Sequence, residues 1–140
     1  MHQIEIEYKG DLRTCSFHLQ SGKEIITDAP IDNFGKGEEF SPTDLLVSAL
    51  GSCILTIMGI IAERHSICIE DTRCFVRKFM KNQPRMIEKI EVEIFFNKYI
   101  IDDHKKLLER AAYSCPVHRS LHPDILKNIK FYYSLDKNDI

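Results

Sequence analysis

Ser41-Pro42-Thr43-Asp44-Leu45-Leu46-Val47-Ser48-Ala49-Leu50-Gly51-Ser52-Cys53 opens a stretch with no charged residue from Leu45 to Ala62. Its first four residues read as a helix start. The Ser41 hydroxyl can accept from free N–H groups of the first turn, Pro42 has no N–H to lose there, and Asp44 sits where a capping-box acid reaches back. The spacing predicts a helix running to about His65. Apolar side chains lie nearly all round it, so it must be covered on most sides. The uncharged length is at the lower edge of a membrane span. Ser48, Gly51, Ser52, Thr56 and Gly59 make it only moderately apolar, however, and no basic cluster precedes it. A fully buried helix is therefore expected, and no membrane partner. Ser48, Ser52, Thr56 and Gly59 also follow one another at helical spacing. Such a stripe of small residues lets a second helix approach closely, and that helix can come from another subunit.

On the N-terminal side the chain reads as strands. Ile4, Ile6 and Tyr8 alternate with Glu5 and Glu7, and Lys9-Gly10-Asp11 turns the chain. Arg13 to Leu19 alternates with Cys15, Phe17 and Leu19 on one face, Ser21-Gly22 turns again, and Glu24 to Thr27 is a third short strand. Asp32 to Glu39, with Gly35 and Gly37, is a loop. On the C-terminal side Ile67 to Phe79 reads as a strand, Gln83-Pro84 as a turn, and Ile90, Val92, Ile94 and Phe96 as the apolar side of the next strand. Asp103 to Ser114 is an amphipathic helix with Leu107, Leu108, Ala111 and Ala112 inward. Cys115-Pro116 starts a fresh helical turn, Ile129 to Leu135 alternates as a final strand, and the tail from Asp136 to Ile140 is expected to fray. The order βββ-α-ββ-α-β predicts an α+β fold with mostly antiparallel sheet.

Composition sets the outer limits. The 140 residues, 44% hydrophobic and 29% charged, suit one soluble domain over 1–140. A net charge of −2 gives no electrostatic case for nucleic acid. The first residues lack a basic segment followed by an apolar run, so no secretory signal is read and the cytoplasm is the expected location. Five cysteines, Cys15, Cys53, Cys68, Cys74 and Cys115, are an odd number without the spacing of a disulfide scaffold. Phosphate-loop, dinucleotide, nucleophile-elbow and zincin patterns do not occur.

The cysteines carry the candidate chemistry. Cys53 lies mid-helix, where it gains little from the helix dipole. It reads either as a packed small hydrophobe or as a thiolate stabilised by a cation from elsewhere in the fold. Cys115, at a helix cap with Pro116 behind it and His118 and Arg119 one turn on, reads either as a cap chosen for packing or as a thiol whose local field favours the thiolate. Cys115, His118 and His122 have a metal-like spacing, yet no second cluster completes a tetrahedral set, so no metal is expected. Cys68 and Cys74 read as same-face residues of one strand and as filler.

Three segments match a known family. Ser41-Pro42-Thr43-Asp44-Leu45-Leu46 with Ala49-Leu50-Gly51-Ser52-Cys53 resembles the helix signature of the OsmC/Ohr family (osmotically inducible protein C and organic hydroperoxide resistance protein). Cys115-Pro116-Val117-His118-Arg119-Ser120-Leu121 resembles its second cysteine motif, and Thr27-Asp28-Ala29-Pro30 is similar to its N-terminal pattern. The resemblance implies an OsmC-like α+β fold, mostly antiparallel sheets around a long central helix, in an intertwined homodimer with each active site at the subunit interface. It implies a thiol peroxidase acting on organic hydroperoxides, with Cys53 peroxidatic and Cys115 resolving. This order of attack is the reverse of what the local field at Cys115 suggests. The resemblance further implies an N-terminal arginine holding the thiolate, for which Arg13 is the candidate. Regeneration falls to a dithiol reductant, a lipoylated protein or a small thiol, and no metal or organic cofactor is needed. The hydroperoxide-resistance branch has a glutamate immediately after the helix proline; here Thr43 stands there, with Asp44 one place on and Glu38 or Glu39 as other possible partners. Two rival readings remain: a non-enzymatic ligand-binding or redox-sensing dimer, and a hydrolase or transferase using Cys115 and His118 as nucleophile and base.

Overall fold

A computed structural model describes residues 1–135; the expectation for the tail from Asp136 to Ile140 lies outside the described residues. The chain is α+β and divides into two compact units, Met1–Leu46 and Val47–Ile140.

The first unit is an antiparallel meander of β1 (Ile4–Gly10), β2 (Arg13–His18) and β3 (Lys23–Asp28). Gly10, Asp11 and Leu12 all take left-handed backbone conformations, which closes the first hairpin tightly. After β3 the chain makes one turn of 3₁₀ helix at Ile31–Asn33 and returns so that Phe40 bridges Thr27 in parallel. Gly35 is required in that loop, because a Cβ there would stand 1.7 Å from the Ala29 carbonyl oxygen. Register puts Ile4, Ile6, Tyr8 and Ile25 on one face of this sheet. The alternation read in β1 is present, but the chain leaves these side chains exposed, Ile6 at 65%.

Ser41 and Asp44 begin α1 (Pro42–Arg64) as their order predicts. The Asp44 N–H donates to the Ser41 hydroxyl at 3.1 Å, and the Ser41 N–H donates to the Asp44 carboxylate at 2.9 Å. By length and composition α1 could cross a membrane, yet Val47, Leu50, Gly51, Ile54, Met58 and Ala62 form one helical stripe within the hydrophobic core. Cys53, Leu55, Ile57 and Ile61 are partly buried against that core, while Ser52, Thr56 and Ile60 are left exposed by the chain itself.

The second unit supplies the rest of that core. β4 (Arg73–Asn82) and β5 (Arg85–Phe95) form an antiparallel hairpin, and β6 (Leu126–Tyr132) joins β5 in parallel after the crossover through α2 (Asp102–Tyr113) and α3 (Pro116–Ser120). Ile90, Val92 and Ile94 of β5 and Leu108 and Ala112 of α2 bury completely with Leu50, Ile54 and Met58. A reading of Ile67 to Phe79 as one strand does not hold, since pairing starts at Arg73. Ser66 and Ile67 instead close the helix, and residues 68–72 are irregular and turn. Ser66 is left-handed, its N–H reaches the Glu63 carbonyl, and the Ile67 N–H reaches the Ala62 carbonyl, which is a Schellman turn. Cys68 and Cys74 therefore do not share a strand: Cys68 is exposed ahead of β4, and Cys74 is half-buried in it.

Candidate functional site

Arg13 starts β2 directly opposite Asp28 at the end of β3. Its Nε donates to Asp28 Oδ1 at 2.7 Å and its Nη2 to Oδ2 at 2.8 Å, a bidentate pair, while Nη2 also reaches Glu38 Oε2 at 2.8 Å. Asp28 is 1% exposed and takes a further hydrogen bond from the Glu38 N–H. The guanidinium beside it holds the Asp28 carboxyl below its usual range against the opposing effect of burial. Arg13 is thus a fixed, permanently charged group oriented by two carboxylates. Glu38 is one of the two loop acids the sequence offers as a partner. Asp28 was missed as a site residue; its signal was the cross-strand register with Arg13, legible only once the hairpin turn is known. Asp44, named beside Arg13 as a candidate, has its carboxylate on the Ser41 N–H as a cap.

Cys53 and Cys115 lie in the second unit and are brought together by it. Cys53 is partly exposed on α1, and Cys115 is the N-cap of α3, fully buried at 0% exposure. The Cys115 sulfur accepts from the His118 N–H at 3.4 Å, as its capping position predicts. The inference from that cap to an acidic thiol is corrected. Burial raises the Cys115 thiol above its ordinary value, neighbouring Cys53 raises it further, and the backbone N–H groups of His118 and Val117 offset only part of this.

Other sequence candidates fall into place around this pair. Burial keeps the His118 imidazole less basic than usual, with Lys127 adding to the effect, so it supplies no positive field at neutral pH. His118 meets Cys115 through its backbone N–H, and its ring stands edge-on to Tyr113 at 5.9 Å. His122 Nδ1 accepts from the Asp124 N–H. Among the described residues no group of three or more His, Cys, Asp or Glu converges on a metal position. Cys74 lies against α1 at Gly51, and burial pushes its thiol up to about 11.

Comparison with known proteins follows the same lines. A crystal structure from Psychrobacter arcticus 273-4, of a protein named for osmotic stress induction and a detoxification response, is 47% identical. The match covers 94% of this chain and 96% of that one, with a TM-score of 0.91. The organic hydroperoxide resistance protein OsmC of Legionella pneumophila shares the fold at 12% identity, covering 94% and 98% with a TM-score of 0.75. An organic hydroperoxide resistance protein of Elizabethkingia anophelis, crystallised with thiocyanate, does so at 14% identity, covering 96% and 98% with a TM-score of 0.74. No curated protein matches the chain. The family model for OsmC-like protein matches residues 35–130, and the chain belongs to that OsmC-like family.

Proposed function

We propose that the protein is a cysteine-based thiol peroxidase that reduces organic hydroperoxides. The observation that carries this reading is the placement of Cys53 and Cys115 as neighbours, close enough that Cys53 helps to raise the Cys115 thiol. Peroxide reduction by a thiol ends in a disulfide only if a second sulfur waits beside the first. In the proposed cycle the Cys53 thiolate attacks the distal oxygen of R–OOH, the O–O bond breaks, and R–OH leaves after protonation. Cys53 becomes a sulfenic acid. The Cys115 sulfur then attacks it, releasing water and forming a Cys53–Cys115 disulfide. A dithiol, by family analogy a lipoylated protein or a small thiol, reduces that disulfide, so the cycle needs no metal or organic cofactor. Apolar neighbours of Cys53 in the core favour organic peroxides over hydrogen peroxide.

The names of the Legionella and Elizabethkingia relatives support the substrate class. By the family resemblance, Arg13 is proposed as the cation that favours the Cys53 thiolate, with Asp28 and Glu38 as its positioning residues. A homodimer is proposed as the working form, supported by the open Ile4, Ile6, Tyr8 and Ile25 face and the uncovered Ser52, Thr56 and Ile60 side of α1. A reducing compartment such as the cytoplasm suits free thiols.

Reduced protein treated with about one equivalent of an organic hydroperoxide should form the Cys53–Cys115 disulfide and leave Cys15, Cys68 and Cys74 reduced. Cys53→Ser should consume no peroxide. Cys115→Ser should consume about one equivalent and stop at oxidised Cys53. Peptide mapping that finds another pair, or turnover that survives Cys53→Ser, removes the mechanism. A shift in melting with hydroperoxide but no consumption would favour a binding or sensing role instead.

A further inference from the structure

We propose that a cavity formed between the Schellman turn after α1 and the loop before α2 binds a small amphipathic carboxylate. It has a volume of about 350 Å³, within the range of ligand sites. One wall is Ser66, Ile67 and Cys68, held by the two hydrogen bonds that end α1. The other is Lys98 to Ile101, continued by His104 one turn into α2. Ile67, Ile100 and Ile101 make the apolar part, and Lys98 and His104 bring a cationic and a hydrogen-bonding side chain to the same space.

Ile101 is the residue that sets this cavity apart from incidental surface. It occupies the N-cap of α2, where Ser, Thr, Asp or Asn would satisfy a free N–H, and it makes no side-chain cap. It is also 47% exposed. A helix start that forgoes its cap to present an isoleucine beside a lysine is unfavourable for folding and suited to an apolar ligand with an anionic end. Lys98 is the cation of the lining. Of the two acids in the first turn of α2, Asp102 and Asp103, Asp102 is paired with Lys105 at 2.8 Å. Glu63 and Glu70 line the neighbouring cavity, which shares Ser66, Ile67 and Cys68 with this one, and are not among the residues that line this one. A body of roughly eight to ten heavy atoms fits such a volume at ordinary ligand sizes. The inference does not depend on peroxide chemistry at Cys53.

The exposed Cys68 thiol at the cavity wall reports occupancy. Octanoate should slow alkylation of Cys68 by iodoacetamide saturably, leave the Cys53 rate unchanged, and be poorly replaced by octanol. Lys98→Met should weaken the protection by about fivefold, the size of a part-exposed ion pair. Ile101→Asp is the sharper variant. It supplies the missing cap, so melting should not fall, yet it sets a carboxylate where the ligand must lie and should abolish protection. Equal protection by octanol, equal slowing at Cys53, or protection that survives Ile101→Asp would each overturn the proposal.

Discussion

Met1–Leu46 and Val47–Ile140 are stabilised by different means. Of the four side chains buried among residues 1–46, three are polar: Thr27, Asp28 and Ser41. The apolar side chains that alternate along β1 and β3 stay in contact with water. Among the described residues of the second unit the buried side chains are all apolar or cysteine and form one cluster through Leu50, Ile54, Ile90, Val92 and Leu108. The first unit relies on directed hydrogen bonds and an ion cluster, the second on area removed from water. A hydrogen-bonded cluster fixes the direction of a charge, as Arg13 is fixed, but leaves apolar surface for another molecule to cover. A closed core can bring two thiols together and keep one of them dry.

Truncating each unit should expose this difference most strongly. Ile54→Ala opens a cavity in a side chain that is 0% exposed and should cost about 2–5 kcal/mol at every protein concentration. Ile6→Ala removes atoms that the single chain leaves in water. On the proposed homodimer its cost should appear only through assembly, growing as the protein is diluted. Urea unfolding at two concentrations tests both. If Ile6→Ala is neutral at both, a second copy does not cover that face.

The ion cluster should act through pH. The folded Asp28 carboxyl lies below its ordinary value, chiefly through Arg13. The unfolded chain therefore takes up a proton before the folded one does, and stability falls with decreasing pH. The Asp28 contribution is complete above the ordinary carboxylate range near pH 4 and is lost as pH drops through the lower folded value. The stability gap between the wild type and Asp28→Asn should be constant from pH 7 to 5 and narrow toward pH 3. Glu91 in the second unit is also lowered, by Lys89 at 2.9 Å, but its side chain is a third exposed, so Glu91→Gln should change the acid limb less. A gap that stays constant to pH 3 would show that Asp28 acts through shape and not charge.

What could be read from the sequence was local. Ser41, Pro42 and Asp44 lie within one turn of each other, and their capping chemistry needs no tertiary information. The β1 and β5 alternations were legible for the same reason. Ile67-Cys68-Ile69 has the composition of a strand, and only the hydrogen bond from the Ile67 N–H to the Ala62 carbonyl shows that Ile67 closes the helix end. The α1 pattern is apolar all round, so periodicity could not say which stripe the chain itself covers. Parallel pairing of β6 with β5 depends on a crossover through two helices. Asp28 meets Arg13 only in the folded register. Cys115 shows the limit most clearly: its cap was predicted correctly and its acidity wrongly, because burial outweighs the His118 N–H and burial is not a property of the motif. The pairing of Cys115 with Cys53 came from resemblance to a family, not from spacing.

The smallest expected effect tests how tightly the second unit is packed beneath Cys53. Gly51 lies inside α1, where alanine is favoured over glycine by about 1 kcal/mol. A Cβ at Gly51 would meet Val76 Cγ1 at 3.1 Å and Cys74 Sγ at 3.2 Å, closer than ordinary contact. Both neighbours stand on β4 facing the core, so each can yield only by pushing on its own neighbours. The helix gain and the packing loss are of similar size and opposite sign, and Gly51→Ala should fall within about 1 kcal/mol of the wild type. Cys74→Ala removes the sulfur from that contact. In its background Gly51→Ala should turn stabilising, with a coupling of about 0.5–1 kcal/mol in a double-mutant cycle. Additive effects would mean that Val76 alone sets the approach of α1 to β4, and that the high pKa of Cys74 follows from burial at a site the helix does not press upon.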